Sequence, residues 1–286
     1  MMSCPLCGFK DIHMFLSLND YSYFRCNYCS LVFLDRDIPF DSKKIYTSKY
    51  IRERGLDVAD SYVVKAKQTT ARFYLSHLKK YSPKGNLLEI GCSTGITLNV
   101  AREMGWEVFG VEINEAAAQM ARKPLNINTI ETNDISDINE EVFPDNFFSE
   151  MLLFDILEHI HEPLEFMKSL TRKLANGGYI LLITPNINSL SARILKEKWF
   201  HLFPEHVCLY SPKSLKLLLD IFKLKPIKIG WGIKFVNVDI LEHHLACYPN
   251  IFMSKLIRSG LKHASILKRI IFPFNIGETY ALVQKQ

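Results

Sequence analysis

Residues 86–95 read Asn-Leu-Leu-Glu-Ile-Gly-Cys-Ser-Thr-Gly (NLLEIGCSTG). Asn86–Ile90 is a short apolar run of the kind that forms a buried strand, and Gly91-Cys92-Ser93-Thr94-Gly95 is a bend of small residues. From Ile96 to Met104 the apolar residues recur at helical spacing, and Gly105 ends them as a C′ glycine does. Glu107–Val111 (EVFGV) reads as a second strand, and Glu112 stands at its tip. The unit is β–loop–α–β, with a carboxylate 21 positions after the first loop glycine. Glycines in such a loop let the backbone approach a ligand closely. A carboxylate at the tip of the second strand can accept both hydroxyls of a ribose, or stand solvated at the strand end. Two phosphate loops are excluded: GxGxxG would need glycines where Ser93 and Ile96 stand, and a P-loop would need a following Lys-Ser/Thr pair.

Around this unit, the composition describes a folded chain. Of 286 residues, 48% are hydrophobic and 23% charged, which is enough apolar surface to bury a core and excludes a disordered chain. No apolar run of about 18 residues lacks a charge, so no membrane span is expected. MMSCPLCGFKD has no apolar stretch of signal-peptide type, and a cytoplasmic location is expected. The net charge of +5 is uneven, because residues 81–160 carry 14 acidic and 4 basic side chains between basic flanks. An acidic centre fits a site for something cationic, although solvated helix faces would give the same count.

Upstream, Cys4 and Cys7 form one CxxC pair and Cys26 and Cys29 a second, 18 residues apart. That spacing reads as a four-thiolate zinc site, structural because four thiolates close the coordination shell. Two disulfides are the competing reading, disfavoured where thiols stay reduced. Short strands are expected over Met14–Leu18, Tyr21–Arg25 and Leu31–Leu34. Cys208 and Cys247 read as packing residues.

The motifs LLEIGCSTG (Leu87–Gly95), GVEIN (Gly110–Asn114), ETNDI (Glu131–Ile135), LLFDILEHIHEP (Leu152–Pro163) and LANGGYILLITPN (Leu174–Asn186) resemble those of class I S-adenosylmethionine-dependent methyltransferases. The middle glycine of the family's first motif is replaced here by Ser93. The resemblance implies an α/β fold: a Rossmann-like seven-stranded mixed sheet with helices on both faces, plus a small N-terminal zinc ribbon. It also implies S-adenosyl-L-methionine as cofactor. Glu89, Gly91, Cys92, Ser93 and Gly95 would lie against its methionine part, Glu112 and Ile113 at the ribose, Asp134 and Ile135 at the adenine, and Asp155 beside the loop. Read from the residues alone, Asp134 also suits a helix N-cap, and Glu89 a structural role.

On the acceptor side, Asp155, Glu158 and His159 are spaced i, i+3 and i+4, so on a helix they would share one face. His206 lies in the later cluster WFHLFPEH. Three readings stand together: pocket-shaping hydrogen bonds, proton transfer by Asp155, His159 or His206, or a Mg²⁺ or Mn²⁺ ion on Asp155, Glu158, His159 and His206. The metal reading follows a resemblance to ubiquinone-biosynthesis and plant small-RNA O-methyltransferases. His161 and His201 read as surface residues.

Beyond the core, Tyr210–Asp220 reads as a helix with Ser211 as N-cap and Pro212 at N1. Leu224–Trp231 and Glu278–Val283 read as the last two strands. Between them 251–272 is basic and amphipathic, suited to cover a pocket, join subunits or touch an anionic membrane surface. The organisation expected is 1–36 ribbon, 37–82 helical connector, 83–236 cofactor-binding core, 237–276 helical insertion and 277–286 last strand. Three functions fit: O- or C-methylation of a small-molecule or sugar acceptor, a zinc-ribbon protein that binds or modifies RNA, or a cofactor-binding protein without catalysis. Only Lys10 and Arg25 are basic in residues 1–30, which argues against nucleic acid.

Overall fold

Side chains alternate between two faces along the apolar runs, and that alternation builds a core on each side of one sheet. In β4 (Asn86–Ile90), Leu87 joins one hydrophobic cluster and Leu88 the other. In β7 (Phe148–Phe154), Leu152 faces one way, and Met151 and Leu153 the other. β8 (Leu174–Pro185) splits Leu181 and Ile183 from Ile180 and Leu182, and β11 (Phe272–Lys285) splits Leu282 from Ala281 and Val283. Helix α1 (Tyr62–Leu78) packs Ala71, Tyr74, Leu75 and Leu78 on the first face, with Leu98 and Ala101 of α2 (Ile96–Glu103). The second face is covered by α4 (Pro163–Lys173) and α6 (Pro212–Ile221), while α3 (Glu115–Leu125) lies near β5 (Glu107–Glu112) and β6 (Asn128–Glu131).

The structure is a computed structural model that describes residues 2–18, 21–35, 61–82, 84–125, 128–131, 143–238, 240 and 270–286. Its main sheet has seven strands in the order β10-β11-β8-β7-β4-β5-β6, β10 being Leu224–Val236. β4 through β8 run parallel, and β10 and β11 close the edge antiparallel. Both final strands are longer than the sequence suggests, because β10 and β11 go on pairing past a register shift out to Val236 and Phe272. The chain leaves β4 toward β5 on one side and returns as β7 on the other. The carboxyl ends of β4 and β7 therefore bound the crevice where sheets of this kind bind ligands. The helix over residues 212–221 has its N-cap at Ser211, in a reciprocal capping box with Ser214.

The cysteine module is joined to this core. β1 (Ile12–Leu18), β2 (Tyr21–Cys26) and β3 (Val32–Leu34) form an antiparallel sheet whose fourth strand, β9 (Cys208–Leu209), comes from the core. Tyr23 reinforces the junction, its hydroxyl donating to the carbonyls of Phe203 and His206 at 2.8 and 3.0 Å. Asp134, Ile135, Cys247, residues 37–60 of the expected connector and residues 251–269 of the amphipathic stretch lie outside the described residues. Among the described residues no helix is long and apolar enough to cross a membrane.

Candidate active site

The loop after β4 is held by its own backbone. The Gly91 and Cys92 amides both donate to the Val111 carbonyl, at 2.8 and 3.1 Å, which ties the bend to the neighbouring strand. Gly91 has φ 69°, and a Cβ there would lie 2.3 Å from Ile156 Cδ1, so any other residue would strain the backbone and displace that side chain. Ser93, standing for a glycine, takes the same left-handed region at φ 50°. Its amide donates to Glu112 Oε2 at 2.7 Å, and the Asn114 amide donates to Oε1 at 2.8 Å. Glu112 is therefore buried rather than solvated at the strand end, and burial raises its pKa against those two donors. The buried Cys92 thiol packs against Gly110, where a Cβ would lie 2.7 Å from Sγ.

Glu89 is 4% exposed. Burial pushes its carboxyl up to about 8, opposed by the Thr97 hydroxyl and the more distant Lys67 charge. Its Oε2 has no hydrogen-bond partner. A buried acceptor left empty costs about 1–3 kcal/mol, so the position suits a ligand that brings a donor or a positive charge.

Asp155 departs from the expected helix face. It follows β7 at φ 57°, and only Leu157–His159 form a helical turn, of 3₁₀ type. Its Oδ2 pairs with Lys234 Nζ at 2.6 Å, and the same ammonium binds Glu278 Oε1 at 2.7 Å. Desolvation opposes ionisation of Asp155, but Lys234 outweighs it and holds the carboxyl below the usual range. Burial raises Glu278 to about 7 despite the same ammonium. Asp155 Oδ1 and Glu278 Oε2 are buried without partners. Lys234 and Glu278 are site residues that the sequence does not reveal; both come from the closing hairpin, and no local pattern marks them.

Glu158, His159 and His206 do converge, with one donor atom from each within 4.8 Å of the others. The two imidazole rings meet edge to face, centroids 4.7 Å apart. His159 Nδ1 lies 2.8 Å from the Glu205 carbonyl, and His206 Nδ1 lies 2.9 Å from the His201 carbonyl. Each Nδ1 is therefore the donor, and each Nε2 the basic nitrogen. Burial lowers both imidazole pKa values. Glu158, 1% exposed, accepts from Thr184 Oγ1 at 2.9 Å, and burial pushes its carboxyl well up. His201, expected at the surface, is 7% exposed and packed between Trp199 and His206.

In the N-terminal cysteine module, the sulfurs of Cys4, Cys7, Cys26 and Cys29 lie within 4.8 Å of one another, and none is in a disulfide. Tetrahedral coordination at about 2.3 Å sets sulfurs about 3.8 Å apart, which this cluster can meet. The disulfide reading gives way to a cluster that could hold a metal ion.

Residues 64–228 match the profile of a family described as a methyltransferase domain. The chain is 21% identical over 216 residues to ajmaline N-methyltransferase of Rauvolfia serpentina, covering 65% of this chain and 74% of that one. It is 27% identical over 162 residues to the mitochondrial ubiquinone biosynthesis O-methyltransferase of Schizosaccharomyces pombe, covering 56% of this chain and 52% of that one. Its fold is similar to that of an S-adenosylmethionine-dependent methyltransferase from Archaeoglobus fulgidus, at TM-score 0.53 and 21% identity, over 77% of this chain and 94% of that one. More than half of the chain carries the match, and the chain belongs to the methyltransferase domain family, as a class I S-adenosylmethionine-dependent methyltransferase.

Proposed function

We propose that the protein transfers the methyl group of S-adenosyl-L-methionine to an oxygen or carbon of a small-molecule or sugar acceptor, bound between the β4 and β7 ends and the His159–His206 pair. The observation that carries this reading is the empty buried oxygen of Glu89, beside a loop latched to Glu112. The cofactor brings an electrophilic methyl on a sulfonium, with an ammonium on the same methionine part. Glu89 supplies an acceptor for that positive charge, Gly91–Gly95 a backbone surface for close approach, and Glu112 the remaining lone pairs for the ribose hydroxyls. Ile113 continues that wall, and Asp134 and Ile135 would meet the adenine.

Methyl transfer asks chiefly for alignment of donor and acceptor. His159 or His206, each with Nδ1 fixed on a carbonyl, takes the acceptor proton at Nε2. Asp155 is a positioning residue here, its carboxylate committed to Lys234.

A second reading for the same corner is a divalent ion, favoured by the convergence of Glu158, His159 and His206. The donor set is one carboxylate and two imidazoles, with Asp155 engaged elsewhere, so it suits Mn²⁺ better than Mg²⁺. Such an ion would lower the pKa of an acceptor hydroxyl. In the ribbon, Cys4, Cys7, Cys26 and Cys29 would hold one structural zinc. Elemental analysis should find about one zinc per chain, and a Cys26→Ser chain that kept its zinc would refute the ribbon assignment. Transfer of a labelled methyl group to candidate sugars and phenols tests the acceptor class.

A further inference from the structure

The junction between the cysteine module and the core holds a half-open cleft of about 520 Å³. The ribbon supplies one wall, Phe15, Leu16 and Arg25; the core supplies the other, including Arg193, Lys196 and Leu202. Three cations line it, against one carboxylate, Glu197, among the described lining residues.

Arg25 is built into place. The β1–β2 register shifts between Met14 and Leu16, and the extra residue of that bulge is Phe15. A bulge re-aims its side chain, and here the Phe15 ring lies 4.4 Å beneath the Arg25 guanidinium. One guanidinium nitrogen reaches Asn188 Oδ1 at 3.4 Å, while Nε is buried without a partner. A stacked guanidinium with a buried, unmet N–H is set to bind an anion's oxygen. Across the cleft Arg193 and Lys196 are both exposed. Lys196 holds φ 49°, a region glycine favours.

We propose that this cleft binds an organic phosphate, with the phosphate oxygens held by Arg25, Arg193 and Lys196 and the apolar body resting on Phe15, Leu16 and Leu202. The ribbon then does more than cap the fold, since it contributes the anchoring guanidinium. The site is separate from the cradle of Glu89 and Glu112. It shares a chain segment with the acceptor side, because Trp199, also on the lining, packs edge-on to His201 at 4.9 Å.

The test is calorimetric titration of the full chain with pyrophosphate, uridine diphosphate and uridine, with S-adenosylhomocysteine present in excess to occupy the cofactor cradle. Pyrophosphate and uridine diphosphate should bind at one site, the latter more tightly, and uridine should not. Arg193→Ala and Lys196→Gly should each weaken binding at least tenfold, and Lys196→Gly relieves the backbone so that folding is preserved. Arg25→Gln should weaken it most. Absence of binding by both phosphates, or equal binding by the Arg193→Ala and Lys196→Gly chains, would overturn the proposal and leave the cofactor cradle untouched.

Discussion

The carboxylate of Glu112 accepts the backbone amide of Ser93 at 2.7 Å, latching the tip of the second strand to a loop residue held at φ 50°. A serine tolerates that region at a cost, and a β-branched residue does so at a greater one, of order 1–3 kcal/mol. Ser93→Gly should therefore keep its cofactor affinity within about twofold. Ser93→Val should lose about 1–3 kcal/mol of stability in denaturant titration and weaken cofactor binding as well. A Ser93→Val chain as stable as the parent would show that residue 93 is not held in the left-handed conformation.

Glu89 gives a pH signature. Its pKa is raised in the fold to about 8, so the stability of the neutral form is fully present below its unfolded value and is lost as pH rises through about 8. Lys67, Glu112 and the Thr97 hydroxyl are the groups that act on it. Glu89→Gln, which cannot ionise, should match the parent in thermal stability near pH 4 and exceed it increasingly toward pH 9. A cationic ligand favours the ionised carboxylate, so the parent's affinity for S-adenosylmethionine should rise with pH more steeply than that of Glu89→Gln. Parallel profiles in both measurements would contradict the placement of Glu89.

Much of this cradle is legible in the sequence. The apolar run, the small-residue bend and the acid at Glu112 are local, so spacing alone places them, and the CxxC knuckles and the Ser211 cap follow for the same reason. What the sequence hides is long-range. Lys234 meets Asp155 across 79 positions and Glu278 across 44, and nothing near any of them marks the contact. The i, i+3, i+4 spacing of Asp155, Glu158 and His159 points to one helical face, but the left-handed turn at Asp155 separates it from the other two. His201 reads as a surface residue from its side chain alone, but Trp199, Phe200, Leu202 and Phe203 flank it in sequence, and it is buried between Trp199 and His206.

Lys234 neutralises two carboxylates, one of them with a fully buried side chain. Breaking a buried pair costs about 3–5 kcal/mol, and the 25% exposure of Lys234 reduces this to about 2–3 kcal/mol. Glu278 is raised to about 7, so its neutral form stabilises the fold below its unfolded value and that stability fades as pH passes about 7. The deficit of Lys234→Met should therefore already be present near pH 4, where Asp155 is ionised and paired, and grow toward pH 8 as Glu278 ionises. Asp155, Glu278, Glu158, His201, His206, Tyr74 and Lys67 are charged or titratable groups that act on one another there. Denaturant melts at the two pH values measure it, and an equal deficit at both would refute the coupling.

The imidazole pair separates proton transfer from metal assistance. His159→Ala or His206→Ala should lower turnover about 10²–10⁴-fold while leaving the affinity for S-adenosylmethionine within about twofold. If the pair acts as base, EDTA leaves the parent's rate unchanged. If Glu158, His159 and His206 hold an ion, EDTA abolishes turnover and Mn²⁺ restores it. Full activity in both histidine variants would remove this corner from the chemistry.

Calorimetric titration of the parent and Glu112→Ala chains with S-adenosylmethionine, with circular dichroism confirming that both are folded, addresses the cradle itself. The parent should bind one equivalent, and Glu112→Ala should bind about 1–3 kcal/mol more weakly, as expected when polar groups lose a buried partner. No binding by the parent at high protein concentration, or equal affinity in the two chains, would contradict the account.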